Sequence, residues 1–185
     1  MIKNKKDYFY YLSEDRKAAG IKRKFSFFGN ELWKYTRVMR KYEYYCNCKK
    51  NKLIRELIHF RFKRLSTKYG FSIPINTFGP GLRIIHRGTV VVNPGATVGA
   101  NARINCDVVI GAKIGTPDQA PQIGKNCYFA PGAKVFGNIT IGDNVIIGAN
   151  AVVVKDVGDN VSVGGVPARV LSNKSTREIF KYFVD

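Results

Sequence analysis

Few residues in this 185-residue chain could move a proton or hold a ligand. Of its two histidines, His86 ends the apolar run of GPGLRIIHRGT (residues 79–89), and His59 lies inside LIRELIHFRF (residues 53–62). An imidazole titrates near neutrality and can take a proton reversibly from a hydroxyl or an amine, so His86 reads either as a base or as a buried structural ring. His59 has no accompanying motif and reads as a packing or surface residue. The four cysteines, Cys46, Cys48, Cys106 and Cys127, lack CxxC spacing; free thiols are expected, and no metal site. Asp118 and Gln119 sit in GTPDQAPQ (residues 115–122), a polar segment that reads as a loop shaping a site or as a solvated loop.

The elements that must position these groups follow from a six-residue period. From residue 98 the chain divides into VGANAR, INCDVV and IGAKIG, then, after the interruption, IGKNCY, FAPGAK, VFGNIT, IGDNVI, IGANAV and VVKDVG. Each hexad opens on an apolar residue, Val98, Ile104, Ile110, Ile123, Phe129, Val135, Ile141, Ile147 and Val153. The fifth position is small or aliphatic throughout, Ile114 and Cys127 included. Gly or Asn recurs between, where a chain turning every few residues needs positive φ or close backbone approach. The pattern specifies a solenoid of short strands and corners in which stacked coils bury an aliphatic column that no single repeat could bury. Counting the frame back through Val92 puts His86 at an opening position. Either the coil is irregular there, or a polar ring replaces an inward aliphatic one.

These hexads, with GPGLRIIHRGTVVVNPGATVGANARI before them and VVVKDVGDNVSVGGVPARVL after, resemble the hexapeptide-repeat acyltransferases, in the branch of serine acetyltransferases and capsule or exopolysaccharide O-acetyltransferases. The resemblance covers residues 71–172. It implies a mainly β fold, a left-handed parallel β-helix, assembly as a homotrimer, and acetyl-CoA as donor. It further implies that His86 is the general base and that Pro131, Ala149, Lys155 and Arg169 take the CoA positions. Pro131 and Ala149 would meet the pantetheine arm, and Lys155 and Arg169 the phosphates.

The chain departs from the serine enzymes at three places. Where they carry an aspartate before the catalytic histidine, this chain has Ile85; where a second aspartate orients the imidazole, it has Phe71. Where a second histidine is common, it has the loop of Asp118 and Gln119. These losses point to a neutral hydroxyl acceptor, and the expectation is O-acetylation of a saccharide. Serine O-acetylation and amino-sugar N-acetylation are the enzyme alternatives, and a trimeric scaffold with a basic arm is the non-enzymatic one.

Residues 1–70 differ in kind from the rest. They hold 20 Lys and Arg against 6 Asp and Glu, and 15 of the 23 aromatic residues. Asn30 reads as the N-cap of a helix with Leu32, Tyr35, Met39 and Tyr42 on one face. A second helix, closed by Gly70, carries a stripe of Leu53, Leu57 and Phe60 with Ile54, Ile58 and Leu65 beside it; the stripes are expected to pack on the rest of the protein, capping the solenoid end or joining subunits, a shorter helix is expected after Ser13, and another in the tail, residues 173–185. Clustered cations fit an anionic membrane surface or a solvated face. No reader motif accompanies them, so nucleic acid is not an expected partner. No run approaches the roughly 18 apolar residues of a membrane span, and the N-terminus lacks a secretory apolar stretch. The expectation is a cytoplasmic protein, at most peripheral to the membrane.

Overall fold

The computed structural model describes residues 1–21, 30–49 and 51–180. Three helices, α1 (Lys5–Ala18), α2 (Glu31–Cys48) and α3 (Lys52–Tyr69), precede a three-walled parallel coil. Each helix opens on an asparagine, Asn4, Asn30 or Asn51, whose side chain accepts a backbone N–H of the first turn. Gly70 closes α3 in the left-handed conformation, φ 77°. Asn4 starts α1 well ahead of Ser13, so the expected short helix is longer and Ser13 lies inside it.

The first wall of the coil holds β1 (Phe71–Ser72), β3 (Val90–Val92), β6 (Val108–Gly111), β9 (Lys134–Phe136) and β12 (Val152–Val153). The second holds β4 (Thr97–Val98), β7 (Gln122–Ile123) and β10 (Thr140–Ile141), extended by single bridges at Phe78 and Val157. The third holds β2 (Arg83–Ile84), β5 (Arg103–Ile104), β8 (Tyr128–Phe129), β11 (Ile146–Ile147) and β13 (Ser162–Gly164), closed by the antiparallel β14 (Arg169–Ser172). Residues 74–91 therefore belong to the coil. Its column is the hexad openers, with Ile104, Ile110, Phe129, Val135 and Ile147 at 0% exposure and Cys127 equally buried at a fifth position.

At the corner between the second and third walls, Asn101, Asn126, Asn144 and Asn160 all have φ near 60° and pass hydrogen bonds from Nδ2 to Oδ1 at 3.0, 2.8 and 2.8 Å. The ladder satisfies polar groups that the tight corner would otherwise strand. Gly124 stacks so closely on Gly142 that a Cβ there would come within 2.7 Å of its carbonyl carbon. A side chain at that position would pry the coils apart.

The helices cap the first coil. Tyr35, Met39, Phe62 and Tyr69 join Phe71, Phe78 and Leu82 in one core. Beneath them Arg40, fully buried, donates from Nε to Asp15 at 2.8 Å, from Nη1 to Glu43 and the Phe78 carbonyl, and from Nη2 to the Gly79 carbonyl at 2.6 Å. Asp15 in turn accepts from Leu82 N, and Glu43 from Asn76 N, both at 2.8 Å. Burial works against the Arg40 charge, yet the Glu43 and Asp15 carboxylates more than offset it and hold its proton well above the ordinary range.

Three expectations need correction. Ile114 is not an inward fifth residue but 99% exposed, because the chain leaves the wall before it and Ala120, 1% exposed, returns it. The α3 stripe of Leu53, Leu57 and Phe60 faces outward; of the residues beside it Ile58 is buried, and with Phe62 and Tyr69 it makes the packed face. The tail helix, α4 (Thr176–Ile179), is a single turn, and residues 181–185 lie outside the described residues. Among the described residues no helix is long and apolar enough to cross a membrane.

Candidate active site

His86 occupies the corner between the third wall and the first, between β2 and β3. Ile84 pairs with Ile104 and Val92 with Ile110, so eight residues run here where the next coil uses six. The hexad frame is broken by this insertion. His86 is therefore not at an inward position: Ile84 points in, Ile85 is half-buried, and the imidazole is exposed on an outer bulge. The extended Val90–Val92 strand, with Gly88 at φ 130° donating to the Tyr69 carbonyl, brings the chain back to the wall.

Phe71 cannot orient the imidazole. It is 4% exposed, and its ring meets that of Tyr35 edge-on at 4.9 Å inside the cap. Among the described residues no hydrogen bond reaches either ring nitrogen of His86. A shallow depression of about 250 Å³ lies beside it, lined by Glu31, Leu32, Ile85, His86 and Arg87. Glu31 comes from the first turn of α2 and accepts from Arg87 Nη1 at 3.3 Å and Lys68 Nζ at 3.2 Å. Sequence reasoning missed this carboxylate, since nothing in its surroundings links a helix start to a histidine 55 positions later. Arg87 could have been singled out by adjacency alone.

Pro131 and Ala149 occupy the same edge of the coil as His86. The successive corners are tied by Gly132 N donating to Cys106 O at 3.1 Å and Asn150 N to Pro131 O at 3.0 Å. With strands about 4.8 Å apart, Pro131 lies two rungs, about 10 Å, and Ala149 three rungs, about 14 Å, down from the His86 corner. Arg169, exposed at the start of β14, stands near the foot of this edge, where Ala168 N donates to Val152 O. Lys155, also exposed, is not on that edge; it follows β12 at the opposite side of the first wall.

Asp118 and Gln119 stand on that opposite side too. From Ile110 to Ile123 is thirteen residues where the paired Val92 to Val98 is six, and the excess projects as a loop closed by Lys113 N donating to Gln119 O at 2.8 Å. Both side chains are exposed, at the corner between the first and second walls rather than the one that holds His86. Between the two edges, the outer face of the first wall carries Val91, Val109, Lys134 and Val152 in one row, apolar except at Lys134, with Phe136 beside it in the row of Gly111.

Residues 120–155 match the family model described as bacterial transferase hexapeptide (six repeats). A serine acetyltransferase of Buchnera aphidicola subsp. Acyrthosiphon pisum is 32% identical over 120 residues, 63% of this chain and 44% of that protein. One of Synechococcus elongatus is 40% identical over 103 residues, 54% of this chain and 41% of its own length. The chain thus spans less than half of these relatives. Among solved structures, serine acetyltransferase from Brucella abortus strain S19 superposes with a TM-score of 0.74 at 25% identity, covering 92% of this chain and 71% of that one. The same enzyme in complex with coenzyme A gives 0.74 at 26% identity, over 92% and 70%. Coverage of that extent takes in the helices as well as the coil. With its hexad register, its three parallel walls and these likenesses, the chain carries hexapeptide repeats in the left-handed β-helix fold of the serine acetyltransferases it resembles.

Proposed function

We propose that the protein is an acetyl-CoA-dependent O-acetyltransferase with His86 as general base and L-serine as acceptor. The observation that carries this reading is the outward His86 at the head of an edge that also bears Pro131 and Ala149. A long, thin donor laid along that edge would bring its thioester to the imidazole. His86 would take the hydroxyl proton as the acceptor oxygen attacks the thioester carbonyl carbon. Collapse of the tetrahedral intermediate breaks the C–S bond, and the departing CoA sulfur takes the proton back from the imidazolium.

Pro131 would offer only its carbonyl to the pantetheine, Ala149 its main chain, and Arg169 its guanidinium to the phosphates at the foot of the edge. Lys155, Asp118 and Gln119 stand across the first wall. They would serve the site of a neighbouring copy if three chains assemble through the outer face of the first wall, where Val91, Val109 and Val152 flank Lys134. The reading therefore includes a homotrimer with its sites between subunits.

For the acceptor, Ile85 and Phe71 favoured a saccharide, but the relatives described above are all serine acetyltransferases, and serine fits them better. A physical reason accompanies this. α2 brings Glu31 to the depression that holds His86 and Arg87, so a carboxylate and a guanidinium flank the base as partners for an ammonium and a carboxylate group. The missing aspartate would be replaced from another element. The test is CoA release with L-serine and with a panel of sugars and nucleotide sugars. His86→Ala should lower serine-dependent release by about 10²–10⁴-fold with acetyl-CoA binding retained. Release with a sugar and none with serine would return the saccharide assignment, and an unimpaired His86→Ala would remove the base.

A further inference from the structure

We propose that α3 docks the protein on an anionic lipid surface through its outward stripe. The helix is apolar on two sides. One side, with Ile58, Phe62 and Tyr69, is consumed by the cap. The other, with Leu53, Leu57 and Phe60, stays 73%, 61% and 62% exposed at spacings of four and three residues, one continuous face about 10 Å long. Side chains of this size left in water along one line are not the scattered exposure that any surface shows.

What covers the stripe is indicated by what continues it. Along the same face, in the following turns, stand Arg61 and Arg64, both exposed, with the Arg64 guanidinium 5.8 Å from the centre of the Phe60 ring, and then Lys68, which is paired with Glu31 at 3.2 Å. The sequence of α3 holds six Lys and Arg against one Glu, and that Glu56 is already paired with Arg55 at 3.2 Å. Among the described residues no carboxylate lies within 4.0 Å of Arg61, Lys63 or Arg64. A second copy of this chain would press like charge on like charge, in a region of 20 Lys and Arg against 6 acidic residues. An anionic bilayer neutralises the cations while the apolar residues enter the boundary between headgroups and acyl chains, the arrangement of an interfacial amphipathic helix.

The experiment is sedimentation of the 185-residue protein with vesicles of phosphatidylcholine alone and of phosphatidylcholine and phosphatidylglycerol in equal amounts, at low and at high salt. Binding is expected to the mixed vesicles only and to weaken with salt. Leu57→Ser/Phe60→Ser keeps the charge and is expected to lower the partition coefficient at least about tenfold. Arg61→Gln/Arg64→Gln keeps the apolar stripe and should lower it by a similar factor while flattening the salt dependence. Far-UV circular dichroism and solution mass should be those of the unaltered protein for both variants. Absence of binding to mixed vesicles overturns the proposal. So does wild-type binding by the Leu57→Ser/Phe60→Ser protein, which would leave charge alone at work. A fall in its solution mass also overturns it, because the stripe would then be a contact between copies.

Discussion

In the helical region one guanidinium, that of Arg40, ties two carboxylates and two carbonyls from three separate segments, at 0% exposure. In the coil no residue has comparable reach: Ile147 meets Phe129 above and Val163 below, and the same contact recurs rung after rung. The first design concentrates cohesion at a point, because helices packed on the end of a solenoid share no repeat with it. The second spreads it, because each rung presents the next with the same surface. The candidate site straddles the two, with His86, Pro131 and Ala149 on the coil and Glu31 on the cap. Damage to either region should therefore appear in a different half of the reaction.

Arg40→Ala is the largest expected break. It leaves Asp15 and Glu43 buried without a counter-charge and strips the Phe78 and Gly79 carbonyls of their donor, at a cost of about 3–5 kcal/mol. The expected outcome is helical signal lost at a lower temperature than the coil. Glu31 would shift with α2, raising KM for the acceptor and leaving acetyl-CoA binding unchanged. A single cooperative transition, shifted as a whole, would show that cap and coil are one unit.

Ile147→Ala probes the other side of the comparison. The side chain is fully buried, and its truncation should cost about 2–5 kcal/mol, depending on how far neighbouring rungs collapse into the space. Ile147 lies beside the corner that carries Ala149 and three rungs from His86. The expected kinetic signature is weaker acetyl-CoA binding with an unchanged acceptor KM, the reverse of Arg40→Ala.

The coil was legible because its constraint is local and repeated: an opener, a turn residue with positive φ, a small fifth residue. Ile114 misled because it satisfies the fifth position as well as any other residue, and only the return of the chain at Ala120 shows that the wall had already ended. The place of His86 stayed open for a related reason. A two-residue insertion at a corner leaves no mark in composition, so counting back from Val92 left an irregular coil and an inward ring as equal alternatives, and only the strand register selects the irregular coil. Leu53, Leu57 and Phe60 had the spacing of a buried stripe, but α3 carries a second stripe, and periodicity does not say which of two faces the cap will take. Glu31 was out of reach altogether, since its place beside His86 depends on how α2 is tied down by Arg40.

Cys127 sharpens the comparison with the smallest perturbation. Its thiol fills a fifth position at 0% exposure, donates to the Gly142 carbonyl at 3.3 Å, and is pushed by burial from 9.0 up to about 12. Because the folded state holds this proton more tightly than the unfolded one, the thiol's contribution is fully present below pH 9 and is lost as pH rises toward 12. The slope is about 1.4 kcal/mol per pH unit, and Cys127→Ala should remove it from the alkaline limb of a stability profile. At pH 8 a thiol reagent should modify the half-exposed Cys46 and Cys106 and spare Cys127 until the coil opens. In the Arg40→Ala protein, where only the cap is expected to loosen, Cys127 should stay protected. Labelling of Cys127 in step with loss of the helices would mean that the rungs do not hold without the cap.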